Sequence, residues 1–287
     1  MRGERLGRGH RPLLSYGVRV DSHTVRENSH TVQVPVHCTR PRRGRRMAKR
    51  PTSVWTRPQK ARREQPTLSR DQIVAATLEL LDAEGLGGLS MRRLGTRLNA
   101  GATSVYWHVT NKDELLELAL DHVMAEVRTP DPAAHGWRAA VIGYARSLRT
   151  MIHRHPWTVP LFGSRPMLGP NAARAMDGLL GACGQAGFSA YDLEYAQAVV
   201  NDYVIGAAGS EASWRANQEE FSTEDWMASM GPYLEVTGER HPRLTAHLRE
   251  VWAKESGEVM DGRFTFGLGC LLDGLEARAQ DRAPGVR

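Results

Sequence analysis

The twenty residues from Ser90 to Val109 constrain this 287-residue chain more than any other stretch. They read as two short helices around a tight turn. The first runs from about Met91 to Leu98, with Ser90 placed as N-cap and Leu94 and Leu98 facing inward. Asn99, Ala100 and Gly101 make the turn, because Asn and Gly tolerate positive φ. The second starts at Ala102 or Thr103 and ends near His108. Only Val105 points convincingly inward, which leaves Thr103, Ser104, Tyr106, Trp107 and His108 on the other faces. This is helix-turn-helix grammar, in which the second helix enters a DNA major groove. Small hydroxyl residues at a helix start can approach base edges, and aromatics with a polar tip can lie along the sugar-phosphate backbone. The competing reading makes Tyr106 and Trp107 core aromatics of a small helical domain. A Thr-Ser pair followed by Tyr-Trp-His forms too poor an apolar stripe to favour it.

The order Leu89 to Leu94 followed by Tyr106 to Leu116 resembles the DNA-binding domain of the tetracycline-repressor (TetR) family, over about Leu68 to Val127 without a gap. The resemblance implies an all-α protein, with an N-terminal three-helix helix-turn-helix domain and a C-terminal helical domain for ligand binding and dimerisation. It implies a DNA surface of Arg92, Ala102, Thr103, Ser104, Tyr106, Trp107, His108 and Lys112. Lys112 stands where the family places a lysine that contacts phosphate; the alternative is a solvated surface lysine. Ala102 and Thr103 replace a glutamine and a proline of the tetracycline repressors, so the operator should differ.

The net charge of +6 hides an asymmetry. Residues 1–66 hold 17 Lys+Arg against 4 Asp+Glu, a net of +13, so the rest holds 38 − 17 = 21 against 32 − 4 = 28, a net of −7. An acidic body repels DNA except where its basic groups cluster, and Arg92, Arg93 and Arg97 gather in the motif. Residues 1–66, rich in Arg, Gly, Pro, Ser and His with no sustained period, read as a disordered basic arm. Either residues 1–46 add sequence-independent affinity for phosphate, or translation starts at Met47, the reading favoured here. Residues 48–66 should act as a flexible arm near the DNA.

The remainder divides into a DNA-binding domain over 67–128, a regulatory and dimerisation domain over 129–281, and a disordered tail over 282–287. Ser69 and Gln72 form a capping box for a supporting helix that Gly85 stops. Asn111 starts a further helix, broken by Pro130 and Pro132. Helices are then expected from Trp137 to His153, from Pro170 to about Gln185, from Tyr191 to about Asn217, over Pro242–Lys254, and from Glu258 to Gln280, with a short turn or helix over Val159–Phe162. Phe221 to Gly238 reads as a mobile loop. The helices around 191–217 and 258–280 carry more apolar surface than one small bundle needs, and the resemblance pairs them with a second subunit.

No eighteen-residue apolar run suggests a membrane span, the charged N-terminus does not suggest a signal peptide, and Cys38, Cys183 and Cys270 lack ligand spacing; a cytoplasmic protein is expected. His153 and His155, at i and i+2 of a helix, point to different faces, which makes them poor metal ligands. No metal, cofactor or catalytic residue is expected, and the protein is not expected to be an enzyme. Arg128 and Leu161 stand where tetracycline repressors place two histidines, which argues against a magnesium–drug ligand. Tyr144, Met151, Trp157, Phe162, Met176, Tyr203 and Trp214 are candidates to line a pocket for a hydrophobic effector, with core packing as the alternative for each. The expected function is a homodimeric repressor that binds a palindromic double-stranded operator and is released by a small molecule. A helical binding protein or enzyme without DNA affinity, and an activator of this architecture, are the alternatives.

Overall fold

Ser69 starts the first long helix as its sequence demands: its hydroxyl accepts from the Gln72 amide at 3.1 Å, while the Gln72 side chain accepts from the Ser69 amide at 2.8 Å. This computed structural model describes residues 20–27, 30–38, 53–56, 68–165, 167–220, 223–252 and 256–281. Two compact units divide the chain, Met1–Pro51 and Thr52–Arg287.

The first unit corrects the reading of residues 1–66 as wholly unstructured. Strands β1 (Val20–Glu27) and β2 (His30–Cys38) pair antiparallel, with Glu27 opposite His30 and Val25 opposite Val32. Val32, Val34 and Val36 alternate with other residues in a period of two, a signal too short to stand out in an Arg-rich background. The 282–287 tail lies outside the described residues, as does most of the 48–66 arm.

The second unit is helical: α1 (Arg70–Gly88), α2 (Met91–Arg97), α3 (Ala102–His108), α4 (Lys112–Met124), α5 (Pro132–His135), α6 (Trp137–Arg154), α7 (Pro170–Gln185), α8 (Ala190–Glu220), α9 (Thr223–Arg240), α10 (Pro242–Trp252) and α11 (Ser256–Gln280). Gly85, at φ +64°, breaks α1, and a single turn follows to Gly88. Asn99 takes positive φ between α2 and α3, whereas Gly101 does not. Ile73, Leu81, Leu94, Val105, Val109 and Leu115 are fully buried and fuse α1 to α4 into one head. Leu148, Met151, Ile152, Leu179 and Leu272 form the core of the C-terminal helices.

Three expectations change. The loop expected over 221–238 is largely α9, which runs through Pro232. An interior proline costs a helix about 3 kcal/mol, and the stretch is polar and mixed, so little in its local sequence favours a helix. The turn after α6 is a 3-10 helix over Pro156–Leu161. Residues 53–55 are not a free arm. Ser53 is buried, its hydroxyl donates to Glu117 Oε2 at 2.6 Å, the Val54 amide donates to the same oxygen at 3.1 Å, and the Arg70 guanidinium lies over the Trp55 ring.

Helices α4 and α7 cap one another. Asp121 of α4 accepts from the Asn171 and Ala172 amides at the start of α7, where Gly169 offers no side-chain cap. Arg174 of α7 donates to the carbonyls of Met124, Ala125 and Val127 at the end of α4. Each satisfies backbone groups that a helix end leaves without partners, and each charge has the sign its helix dipole favours. Glu114, Glu117 and Asp121 are accordingly buried on α4, beside its apolar residues.

Candidate DNA interface and effector cleft

The candidate DNA surface is carried by α3 and its flanks. Val105 is fully buried beneath α3, and this anchor turns the neighbouring side chains outward. Trp107 is 71% exposed and Tyr106 is 49% exposed, a large aromatic area to leave facing water. Arg92 and Thr103 are exposed, and Ser104, His108 and Lys112 are half-buried, all on the α2–α4 side of the head. The Ala102 side chain lies outside the described residues. The Lys112 ammonium donates to the Leu86 carbonyl at 2.9 Å, so it also fastens α4 to the last turn of α1. The expected Arg92, Arg93 and Arg97 cluster is partly neutralised: Arg93 pairs with Glu84 and Arg97 with Glu79, both at 2.5 Å. Both pairs are exposed and contribute little to stability.

The seven residues expected to line a pocket scatter. Tyr144, Met151 and Trp157 are buried in the core, with the Tyr144 hydroxyl donating to Asn201 at 2.7 Å. Phe162 and Tyr203 are partly buried against that core, and the Tyr203 hydroxyl donates to the Phe264 carbonyl at 2.8 Å. Met176 is half-buried on α7. Trp214 alone of the seven borders a described cleft. This cleft of about 570 Å³ is walled by Val159, Ile205, Gly206, Gly209, Ser210, Ser213 and Trp214, and the buried indole N–H of Trp214 has no hydrogen-bond partner among the described residues. The small residues recur along one face of α8 at helical spacing, a pattern legible in the sequence but overlooked beside the large aromatics.

His153 and His155 both meet carboxylates. Glu211, 3% exposed, receives Arg149 Nε and His153 Nε2, each at 2.7 Å, and Arg149 also reaches Asp261 at 2.6 Å. Burial raises the Glu211 pKa, but the hydrogen bonds from His153 and Arg149 outweigh it and hold the carboxyl below its ordinary range. A depressed pKa contributes stability that is complete above the ordinary carboxylate range and is lost as the pH falls through the folded-state value. Glu211→Gln should therefore melt lower at neutral pH and lose less stability on acidification. Thermal melts across pH check this; equal acid slopes for the two proteins would count against it. Among the described residues, no group of three or more His, Cys, Asp or Glu could hold a metal ion, and no helix is long and apolar enough to cross a membrane.

Two family descriptions match. "Bacterial regulatory proteins, tetR family" covers residues 73–119, and "Tetracyclin repressor-like, C-terminal domain" covers residues 129–279. An HTH-type transcriptional regulator of Saccharopolyspora erythraea is 39% identical, across 80% of this chain and 93% of its own. The HTH-type transcriptional repressor DrrR1 of Streptomyces coeruleorubidus is 35% identical, across 77% of this chain and 82% of its own. The solved structure of the Streptomyces coelicolor TetR family protein ActR in complex with actinorhodin is similar at a TM-score of 0.63 and 32% identity, over 75% of this chain and 99% of that one.

Proposed function

Since the chain belongs to the TetR family of bacterial regulatory proteins, we propose that it is a ligand-responsive transcriptional repressor that binds a palindromic operator as a homodimer. The observation that carries this reading is the outward display of Tyr106 and Trp107 on a helix whose other face is locked by Val105. Arg92, Ala102, Thr103 and Ser104 face base edges, while Tyr106, Trp107, His108 and Lys112 hold the phosphate backbone. To contact DNA, Lys112 gives up the Leu86 carbonyl. Fluorescence anisotropy on fragments from the chain's own genomic neighbourhood tests the reading. Binding to one fragment should fall steeply and log-linearly with salt. Absence of sequence preference even at low salt would sink it.

The second subunit packs on α8 and α11. Tyr191, Tyr195 and Val199 recur at every fourth residue of α8 and are 79%, 61% and 47% exposed, and Phe266 of α11 is 74% exposed. Burying such a surface requires a partner, and a two-fold pair also supplies the two heads that a palindrome needs. Phe266→Glu should place a charge in that interface and shift the protein to monomer in analytical ultracentrifugation. An unchanged dimer would move the interface elsewhere.

The effector occupies the cleft beside Trp214. It is a flat, largely apolar molecule with an acceptor for the indole N–H. Support comes from the cleft's Gly-Ser floor and from the ActR relative, whose structure holds actinorhodin. The effector releases DNA through its differential affinity for two states of the dimer.

A further inference from the structure

The 3-10 helix Pro156–Leu161 joins two places that the fold otherwise keeps apart. In its middle, Val159 forms one wall of the Trp214 cleft. At its start, Trp157 donates its indole N–H to Asp82 Oδ1 of α1 at 2.7 Å, and the preceding His155 places Nδ1 2.7 Å from the same oxygen. His155 Nε2 lies 3.1 Å from Glu126 Oε1 just beyond α4, and Arg154 donates to the other oxygen of Glu126 at 3.1 Å. One imidazole ring thus lies within hydrogen-bonding distance of an acid of α1 and of an acid just beyond α4. Asp82 belongs to the helix that carries the reading head. Trp157 is 4% exposed, so its attachment to Asp82 cannot swing without repacking. Pro156 and Pro160 fix two φ angles of the six-residue segment and stiffen it.

On the cleft side the packing is tight. A Cβ at Gly209 would stand 3.1 Å from Val159 Cγ1, so anything that fills the cleft at Gly209 presses Val159. We propose that the Pro156–Leu161 segment is a lever. Displacement of Val159 is carried through Trp157 and His155 to Asp82, and so re-aims α1 and, through α2 packed on it, the DNA-reading helix. The lever rests on the repressor reading above and adds the residues that couple cleft and head. His155, Trp157 and Asp82 are positioning residues here, and none of them touches DNA or effector.

The lever is testable without the natural effector, because a side chain at Gly209 can imitate a filled cleft. Operator affinity is measured for wild type, Gly209→Val, Trp157→Phe and the double variant. Gly209→Val alone should weaken binding about tenfold, the scale of an ordinary coupling between sites. Trp157→Phe keeps the ring but removes the bond to Asp82. In that background, and in Asp82→Asn with His155→Gln, Gly209→Val should change affinity by less than about twofold. Gly181→Ala, on an open part of α7 with nothing within 4 Å, should leave operator binding unchanged in every background. Gly209→Ala replaces the valine should the larger side chain prevent folding, and thermal melts monitor that. The same loss from Gly209→Val with and without the Trp157 bond would overturn the lever while leaving the repressor reading intact. A wild-type protein that binds no operator would remove the reading beneath it.

Discussion

Replacing Asp121 by alanine is expected to destabilise the protein by about 3 kcal/mol, the summed scale of a lost helix cap and of hydrogen bonds to a buried charge. The carboxylate is 6% exposed. Its Oδ1 accepts from the Asn171 amide at 3.0 Å and the Ala172 amide at 2.9 Å, and its Oδ2 accepts from Asn171 Nδ2 at 3.2 Å. Alanine leaves these donors buried at the positive end of α7, and no side chain of α7's own start replaces the acceptor. Asp121→Asn keeps one acceptor oxygen and should lose less. The opposite wall of the contact makes an independent check: a Cβ at Gly169 would lie 2.2 Å from Asp121 Cγ, so Gly169→Ala must expel the carboxylate and reproduce much of the loss. Urea unfolding measures all three. A loss below about 1 kcal/mol for Asp121→Ala would mean that water substitutes for the carboxylate. The pairing with Arg174 gives the contact a role beyond stability: α4 and α7 each complete the other's end, so α4 cannot slide without exposing both.

Alanine at both Tyr106 and Trp107 should weaken operator binding by at least about 2 kcal/mol, roughly thirtyfold, the scale of an aromatic hot spot at an interface. Stability should barely change, because neither ring is part of the buried core. The salt dependence separates the roles on the same surface. Loss of these rings should lower affinity for every sequence, since backbone contacts carry no base information. Thr103→Ala should instead alter which operator is preferred. Folded double variants that bind as tightly as wild type would remove α3 from the interface.

Much of this molecule follows from local chemistry along the chain. The Ser69–Gln72 box, the Ser90 and Asn111 caps, the positive φ of Asn99 and the break at Gly85 each depend on residues within a few positions of one another. That is why the three-helix head and the outward rings of Tyr106 and Trp107 could be placed without coordinates. The long helices α6, α7, α8 and α11 were legible for a similar reason: their apolar residues repeat at helical spacing.

Other features depend on residues far apart in the chain. Glu114, Glu117 and Asp121 look like the solvated side of an amphipathic helix until Ser53 and the start of α7 arrive to cover two of them. Trp157 looks like pocket lining until Asp82, 75 positions earlier, accepts its N–H. Pro232 looks like a helix breaker, yet α9 continues through it. Hydrophobic spacing and end caps set the helices and the reading head, because these are short-range interactions. Only the tertiary fold decided which polar groups would be buried together, since a buried charge persists only where distant partners satisfy it.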